Sequence, residues 1–188
     1  MNLKRFFDII LSSLLIFVFS PIFFLIFLFV LVETKSSPFH YSKRVGKENI
    51  IFKMLKFKTM RDNTPDVATH LLKNPGDYVT KSGKFLRRTS LDELPQLFSI
   101  FLGQMSFVGP RPALFNQEDL IQLRSAKKIH KILPGLTGYA QINGRDNLSI
   151  EQKVFYDEYY LNNSSFLLDI KIITITFLKL FKNKDVHH

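Results

Sequence analysis

The feature that most constrains this chain is a run of 24 residues without a charge, from Ile9 to Val32. As a helix it measures about 36 Å at about 1.5 Å per residue, enough to cross a hydrocarbon layer of about 30 Å. The run is too long for the apolar core of a signal peptide, and no small-x-small cleavage site follows it. Ser20-Pro21 interrupts it in the middle. Proline cannot donate an amide hydrogen bond and crowds the preceding turn, so it kinks or breaks a helix. The carbonyl it frees needs a new partner in hydrocarbon, and the Ser20 hydroxyl is placed to provide one. The halves around Pro21, roughly 11 residues each, are too short to cross alone. Basic residues flank both ends: Lys4 and Arg5 before, Lys35, Lys43 and Arg44 after. Both ends therefore prefer the cytoplasmic face. These features leave two readings open, a re-entrant hairpin in one leaflet and a Pro-kinked bitopic anchor.

Beyond the run, basic residues dominate. The chain carries 26 Lys plus Arg against 16 acidic residues, a formal charge of +10, which favours an anionic partner: nucleic acid, a phosphorylated small molecule or an acidic membrane surface. There is no cysteine, so disulfide scaffolds, thiolate zinc sites and thiol nucleophiles are excluded. Periodicity predicts a strand or basic interfacial segment within 39–61, a polar excursion over 62–83, and a stretch over 84–106 that is helical at both ends. It predicts non-helical backbone at 107–112, a helix at 116–131 and a turn-rich loop at 134–146. Helices follow at 149–161 and 165–182, the last apolar around most of its circumference, as expected of a helix in the membrane interface with snorkelling lysines.

Four constellations carry candidate chemistry. In Arg87-Arg88-Thr89-Ser90-Leu91-Asp92-Glu93-Leu94-Pro95, Ser90-x-x-Glu93 reads structurally as a capping box. Functionally, the same residues offer helix N–H groups and paired arginines for a phosphate, with a carboxylate able to act as nucleophile or magnesium ligand. Gly109-Pro110-Arg111-Pro112 presents one arginine on a stiffened backbone, or is simply a turn with a solvated arginine. Lys56-Phe57-Lys58-Thr59-Met60 is a basic patch, or a lipid-facing edge. The glycines of Pro134-Gly135-Leu136-Thr137-Gly138 and Asn143-Gly144-Arg145 permit close approach of a ligand. No Walker A, Rossmann or zincin pattern is present.

The strings KFKTM (56–60), SLDELPQL (90–97), MSFVGPRP (105–112), PGLTGYAQINGR (134–145) and DEYY (157–160) stand in this order behind an apolar N-terminus. Together they resemble the bacterial sugar transferase family, and within it the small monotopic phosphoglycosyl transferases. The resemblance runs from about Lys4 to Lys182. Larger members carry additional spanning helices, so this chain looks like the minimal form. The resemblance implies an α+β, mainly helical fold: a re-entrant membrane hairpin broken at Ser20-Pro21 (1–35), a compact catalytic domain with interfacial amphipathic helices (36–182) and a tail (183–188). It implies a location on the cytoplasmic face of the bacterial inner membrane.

The implied reaction moves a sugar-1-phosphate from a UDP-sugar to undecaprenyl phosphate, with loss of UMP and a requirement for Mg²⁺. By the same resemblance Asp92 is the nucleophile, and Asp92 and Glu93 are the metal ligands. Arg87, Arg111 and Lys58 bind the transferring phosphate, and Pro110, Pro112, Arg145 and Asp157 line the donor site. The strings point to an N-acetylated amino sugar as cargo. Anionic lipids are expected partners, a homodimer is compatible with the sequence, and nucleic acid is not expected, because the basic residues are dispersed and no nucleic-acid motif is evident. The competing class is a membrane-anchored basic binding or scaffold protein without catalysis.

Overall fold

The structure, a computed structural model, describes residues 3–64 and 75–182. The apolar run forms α1 (Leu3–Thr34), one helix with Pro21 inside it. The expected break at Ser20-Pro21 is thereby corrected. Ser20 Oγ donates to the Phe17 carbonyl at 2.8 Å, the acceptor that Pro21 leaves without its amide, so the helix continues through the proline.

Both ends of α1 are fastened to the same folded body. At the start, Lys4 Nζ donates to Val108 O (2.8 Å), Tyr160 Oη (2.7 Å) and Asp169 Oδ2 (2.7 Å). Arg5 reaches the carbonyls of Ile100 and Phe101, both at 2.6 Å. Buried Asp8 accepts from Phe107 N (3.1 Å) and Ser106 Oγ (3.2 Å). At the far end, Glu33 accepts from Lys81 N (2.9 Å) and Ser82 N (3.1 Å). Between these ends Leu11, Leu15 and Ile16, then Phe23, Ile26, Phe27 and Val30, pack inward. The opposite face leaves Phe6, Ile10, Leu14, Phe17, Leu25, Phe29 and Val32 exposed. An apolar surface of this extent marks contact with a membrane or a partner.

β1 (Phe39–Val45) and β2 (Ile51–Phe57) form an antiparallel hairpin in register from Phe39↔Phe57 to Val45↔Ile51. After β2 come the single turn α2 (Pro75–Tyr78) and α3 (Lys81–Thr89). Thr80 caps α3 through Gly83 N at 2.9 Å. Ser90, at φ 57°, closes α3 in the left-handed region and its side chain makes no capping bond, which removes the capping-box reading of Ser90-x-x-Glu93. A 3₁₀ turn (Leu91–Glu93) follows, then α4 (Gln96–Phe101). The capping box of this chain is at Ser149 and Gln152, where α7 (Ile150–Asn163) begins.

β3 (Ser106–Val108) and β4 (Gly135–Thr137) pair in parallel, Ser106↔Gly135 and Val108↔Thr137. The loop expected at 134–146 thus contains a strand, a turn of helix α6 (Tyr139–Ile142) and a 3₁₀ turn (Arg145–Asn147). Glycine is required here: a Cβ on Gly135 would fall 2.1 Å from Gly109 N, and one on Gly138 2.1 Å from Gly109 O. The Gly109–Pro112 and Pro134–Gly138 strings therefore lie backbone against backbone. α5 (Glu118–Ala126) joins these strands, and α8 (Phe166–Lys182) ends the described chain. α8 sinks Asp169 and Ile172 into the body and leaves Leu167, Phe177 and Leu178 exposed, so only one side of it is available to an interface. The main core joins Phe52, Met54, Leu97, Ile100, Met105, Phe107, Val108, Tyr160 and Ile172. Part of the polar excursion (65–74) and the tail (183–188) lie outside the described residues.

Candidate active site

The 3₁₀ turn after α3 presents Asp92 and Glu93 together. On an α-helix adjacent residues diverge by about 100°, and the left-handed Ser90 with the tighter turn after it lets both carboxylates serve one site. Lys56 joins them: its Nζ lies 2.7 Å from Glu93 Oε1 and 3.8 Å from Asp92 Oδ2. Arg111 Nη2 reaches the same Glu93 oxygen at 3.3 Å. Arg87 faces Asp92 and is steadied by its Nε bond to Thr59 Oγ1 at 3.0 Å. Arg145, held at φ 52°, adds its charge on the Glu93 side.

The two acids are driven apart electrostatically. Burial raises Asp92 to about 6; the charge of Glu93 adds to this, while Lys56, Arg87 and Arg111 oppose it. Burial also works to raise Glu93, but Lys56, Arg111 and Arg145 outweigh it and hold that carboxyl well below its usual range. Glu93 is thus a fixed negative charge, and Asp92 is a carboxylate poorly solvated in its ionised form. Such a group gains when it is esterified or brought against a cation.

The remaining expected residues occupy distinct places. Lys58 pairs with Asp62 and donates to Ser36 Oγ at 2.8 Å; it does not join the acid pair. The Pro110 carbonyl accepts from Gly135 N at 2.9 Å, and the Pro112 carbonyl accepts from Arg44 Nη1 at 3.1 Å, so both prolines shape the Arg111 loop. Asp157 is fully buried, and its Oδ2 accepts from Arg124 Nη2 (2.6 Å) and Nε (3.0 Å). Arg124 Nη1 in turn donates to the Arg111 carbonyl at 2.8 Å. Asp157 thus acts on the site through Arg124.

Three residues here escaped the sequence reading. Arg44 and Arg124 lie in no string that pointed to chemistry. Lys56 stood inside one, and its parity with buried Phe52 and Met54 along β2 was the available signal; β2 ends at Phe57, before Lys58. Among the described residues no group of three or more His, Asp or Glu could hold a metal ion. Asp92 and Glu93 supply two hard oxygen donors, a set that suits a Mg²⁺ completed by substrate phosphates.

Beside the acid pair an apolar trough of about 480 Å³ runs between α1 and α4, lined by Phe19, Phe23, Phe27, Leu94, Leu97 and Phe98. Leu94 follows Glu93 directly, so charged site and apolar trough adjoin.

Residues 1–183 match the bacterial sugar transferase family. Over its whole length the chain is 41% identical to a UDP-glucose:undecaprenyl-phosphate glucose-1-phosphate transferase of Klebsiella pneumoniae, covering 42% of that protein. It is 37% identical to the uncharacterized sugar transferase EpsL of Bacillus subtilis, across 99% of this chain and 91% of the relative. It is 34% identical to an undecaprenyl-phosphate galactose phosphotransferase of Salmonella typhimurium, across 91% of this chain and 39% of the relative. The chain thus spans about two fifths of the relatives whose substrates are named, and nearly all of EpsL.

Proposed function

The chain belongs to the bacterial sugar transferase family, and we propose that it moves a sugar-1-phosphate from a UDP-sugar to undecaprenyl phosphate, releasing UMP. The observation that carries this reading is a poorly solvated carboxylate, Asp92, ringed by cations and opening beside an apolar trough. Cations suit a diphosphate, the carboxylate suits covalent transfer, and the trough suits an isoprenoid chain.

In the first step an Asp92 carboxylate oxygen attacks the β-phosphorus. The bond from that phosphorus to the bridging oxygen breaks, and the electron pair leaves with UMP. Arg87 and Arg111 stabilise the phosphoryl oxygens, and Lys56 holds the two acids in place. In the second step an oxygen of undecaprenyl phosphate attacks the same phosphorus, and the Asp92 carboxylate is regenerated. Asp92 and Glu93 would hold Mg²⁺, which when bound neutralises diphosphate charge. Fastening of both ends of α1 to one folded body supports a re-entrant course, with both ends on the cytoplasmic side. The motif strings favour an N-acetylated amino sugar donor. A hexose is the second reading, favoured by the glucose and galactose in the names of two relatives.

The test is brief incubation, without acceptor, with a UDP-sugar labelled in its sugar. Wild-type protein acquires label and Asp92→Asn does not. Label on the Asp92→Asn protein, or kinetics demanding both substrates bound together, would refute the covalent reading. A panel of UDP-sugars read by UMP release selects the donor. Absence of UMP release with every donor, Mg²⁺ and undecaprenyl phosphate leaves the scaffold alternative.

A further inference from the structure

The cations around the acid pair are arranged with a direction. Arg87 faces Asp92, while Arg44 faces Glu93 and Arg111, and Arg145 faces Glu93. Lys56 and Arg111 lie between, within reach of both acids. The site therefore has an Asp92 side and a Glu93 side.

Arg44 is built into the Glu93 side. It sits at the end of β1, where Val45 N donates to Ala113 O at 3.0 Å and Arg44 itself bridges to Leu114. The strand end is thereby stitched to the segment that follows Arg111. Arg44 Nε donates to Ser42 Oγ and Nη1 to the Pro112 carbonyl, both at 3.1 Å, which fixes the plane of the guanidinium. A neutral donor could serve the Pro112 carbonyl equally well. A guanidinium in that position sets a second positive charge against Arg111, and burial together with this repulsion pushes Arg44 down to about 10. An anion between the two arginines relieves that cost.

The transfer chemistry says which anion. When the bridging bond breaks, the α-phosphate changes from a diphosphate member to a terminal phosphomonoester and gains negative charge. A fixed cation on that side stabilises charge where it develops. Asp92 takes the β-phosphoryl group on its own side, so the departing phosphate lies toward Glu93. We propose that Arg44 is the leaving-group cation, binding the α-phosphate of the donor beside Arg111 and holding the UMP that departs. This rests on the covalent reading above. It also separates the two half-reactions: once UMP has gone, discharge to the acceptor gives Arg44 nothing to hold.

The test uses the full chain in nanodiscs with Arg44→Gln and Arg44→Lys. Three quantities are read: UMP affinity, the rate of labelling by sugar-labelled donor without acceptor, and discharge of isolated labelled protein by undecaprenyl phosphate. Arg44→Gln weakens UMP binding by about tenfold or more and slows labelling by about a hundredfold, while discharge slows less than about threefold. Arg44→Lys recovers part of the loss. Unchanged UMP affinity, or discharge slowed as much as labelling, would make Arg44 a loop tether and overturn the proposal. Wild-type protein that takes no label refutes the covalent reading, and the proposal with it. A labelled wild type matched by Arg44→Gln refutes this proposal alone.

Discussion

Two clusters of buried charge hold this molecule together, and they are built on opposite plans. At the foot of α1, Lys4 and Arg5 meet Asp8 and Asp169, and the donors find acceptors: Lys4 has three, Arg5 two carbonyls. Asp8 accepts from a backbone amide and a serine, and Tyr160 donates to Asp169 at 2.6 Å. Positive and negative charges match. At the cleft, Lys56, Arg44, Arg87, Arg111 and Arg145 surround only Asp92 and Glu93. A balanced buried network costs little once formed and ties one arrangement of α1, α7 and α8 together. A surplus of one sign is an unpaid debt that only a ligand of the opposite sign can settle. The first cluster is architecture and the second is a binding site.

Four outcomes sharpen this contrast, from the largest effect to the smallest. Asp92→Asn abolishes turnover, by about a thousandfold or more in UMP release, without lowering the unfolding midpoint, because it removes a carboxylate that burial disfavours. Lowering the pH through about 6 protonates Asp92, since its raised value puts the loss of its charge there, and the rate of labelling falls about tenfold per unit below that point. Quenched labelling from about pH 5 to about pH 8 measures it; a flat profile would place the nucleophile elsewhere. Asp157→Asn lowers turnover about tenfold by loosening Arg124 and with it the Arg111 carbonyl, with the loss in kcat more than in KM. Lys4→Met is the converse case. It leaves Asp169 buried without its cation, lowers stability by about 2–3 kcal/mol in thermal unfolding, and changes turnover of the folded protein by less than about threefold. A catalytic loss in Lys4→Met larger than its stability loss would break the distinction between the clusters.

Much of the fold was legible locally. The uncharged run, the non-helical Val108–Pro112 segment and the last two helices follow from composition, proline and apolar period, which act within a few residues. Ser90 was misread because a capping pattern and a left-handed helix end use the same residue types, and the neighbours of Ser90 decide between them. Pro21 was read as a break because the strength of the Ser20 rescue depends on geometry. Asp92, Glu93 and Arg111 were visible as motifs. Lys56, Arg44 and Arg124 were not, since nothing near them in the chain announces that they converge on Glu93 and the Arg111 backbone.

Taken alone, the sequence determined that this chain carries an apolar helix, an excess of positive charge and an acid pair beside arginines, because charge and hydrophobicity are properties of the residues themselves. Only the tertiary structure decided which cations face which carboxylate, that both ends of the apolar helix return to one body, and that Asp157 works through Arg124. Those are distances between residues far apart in the chain, and packing sets them.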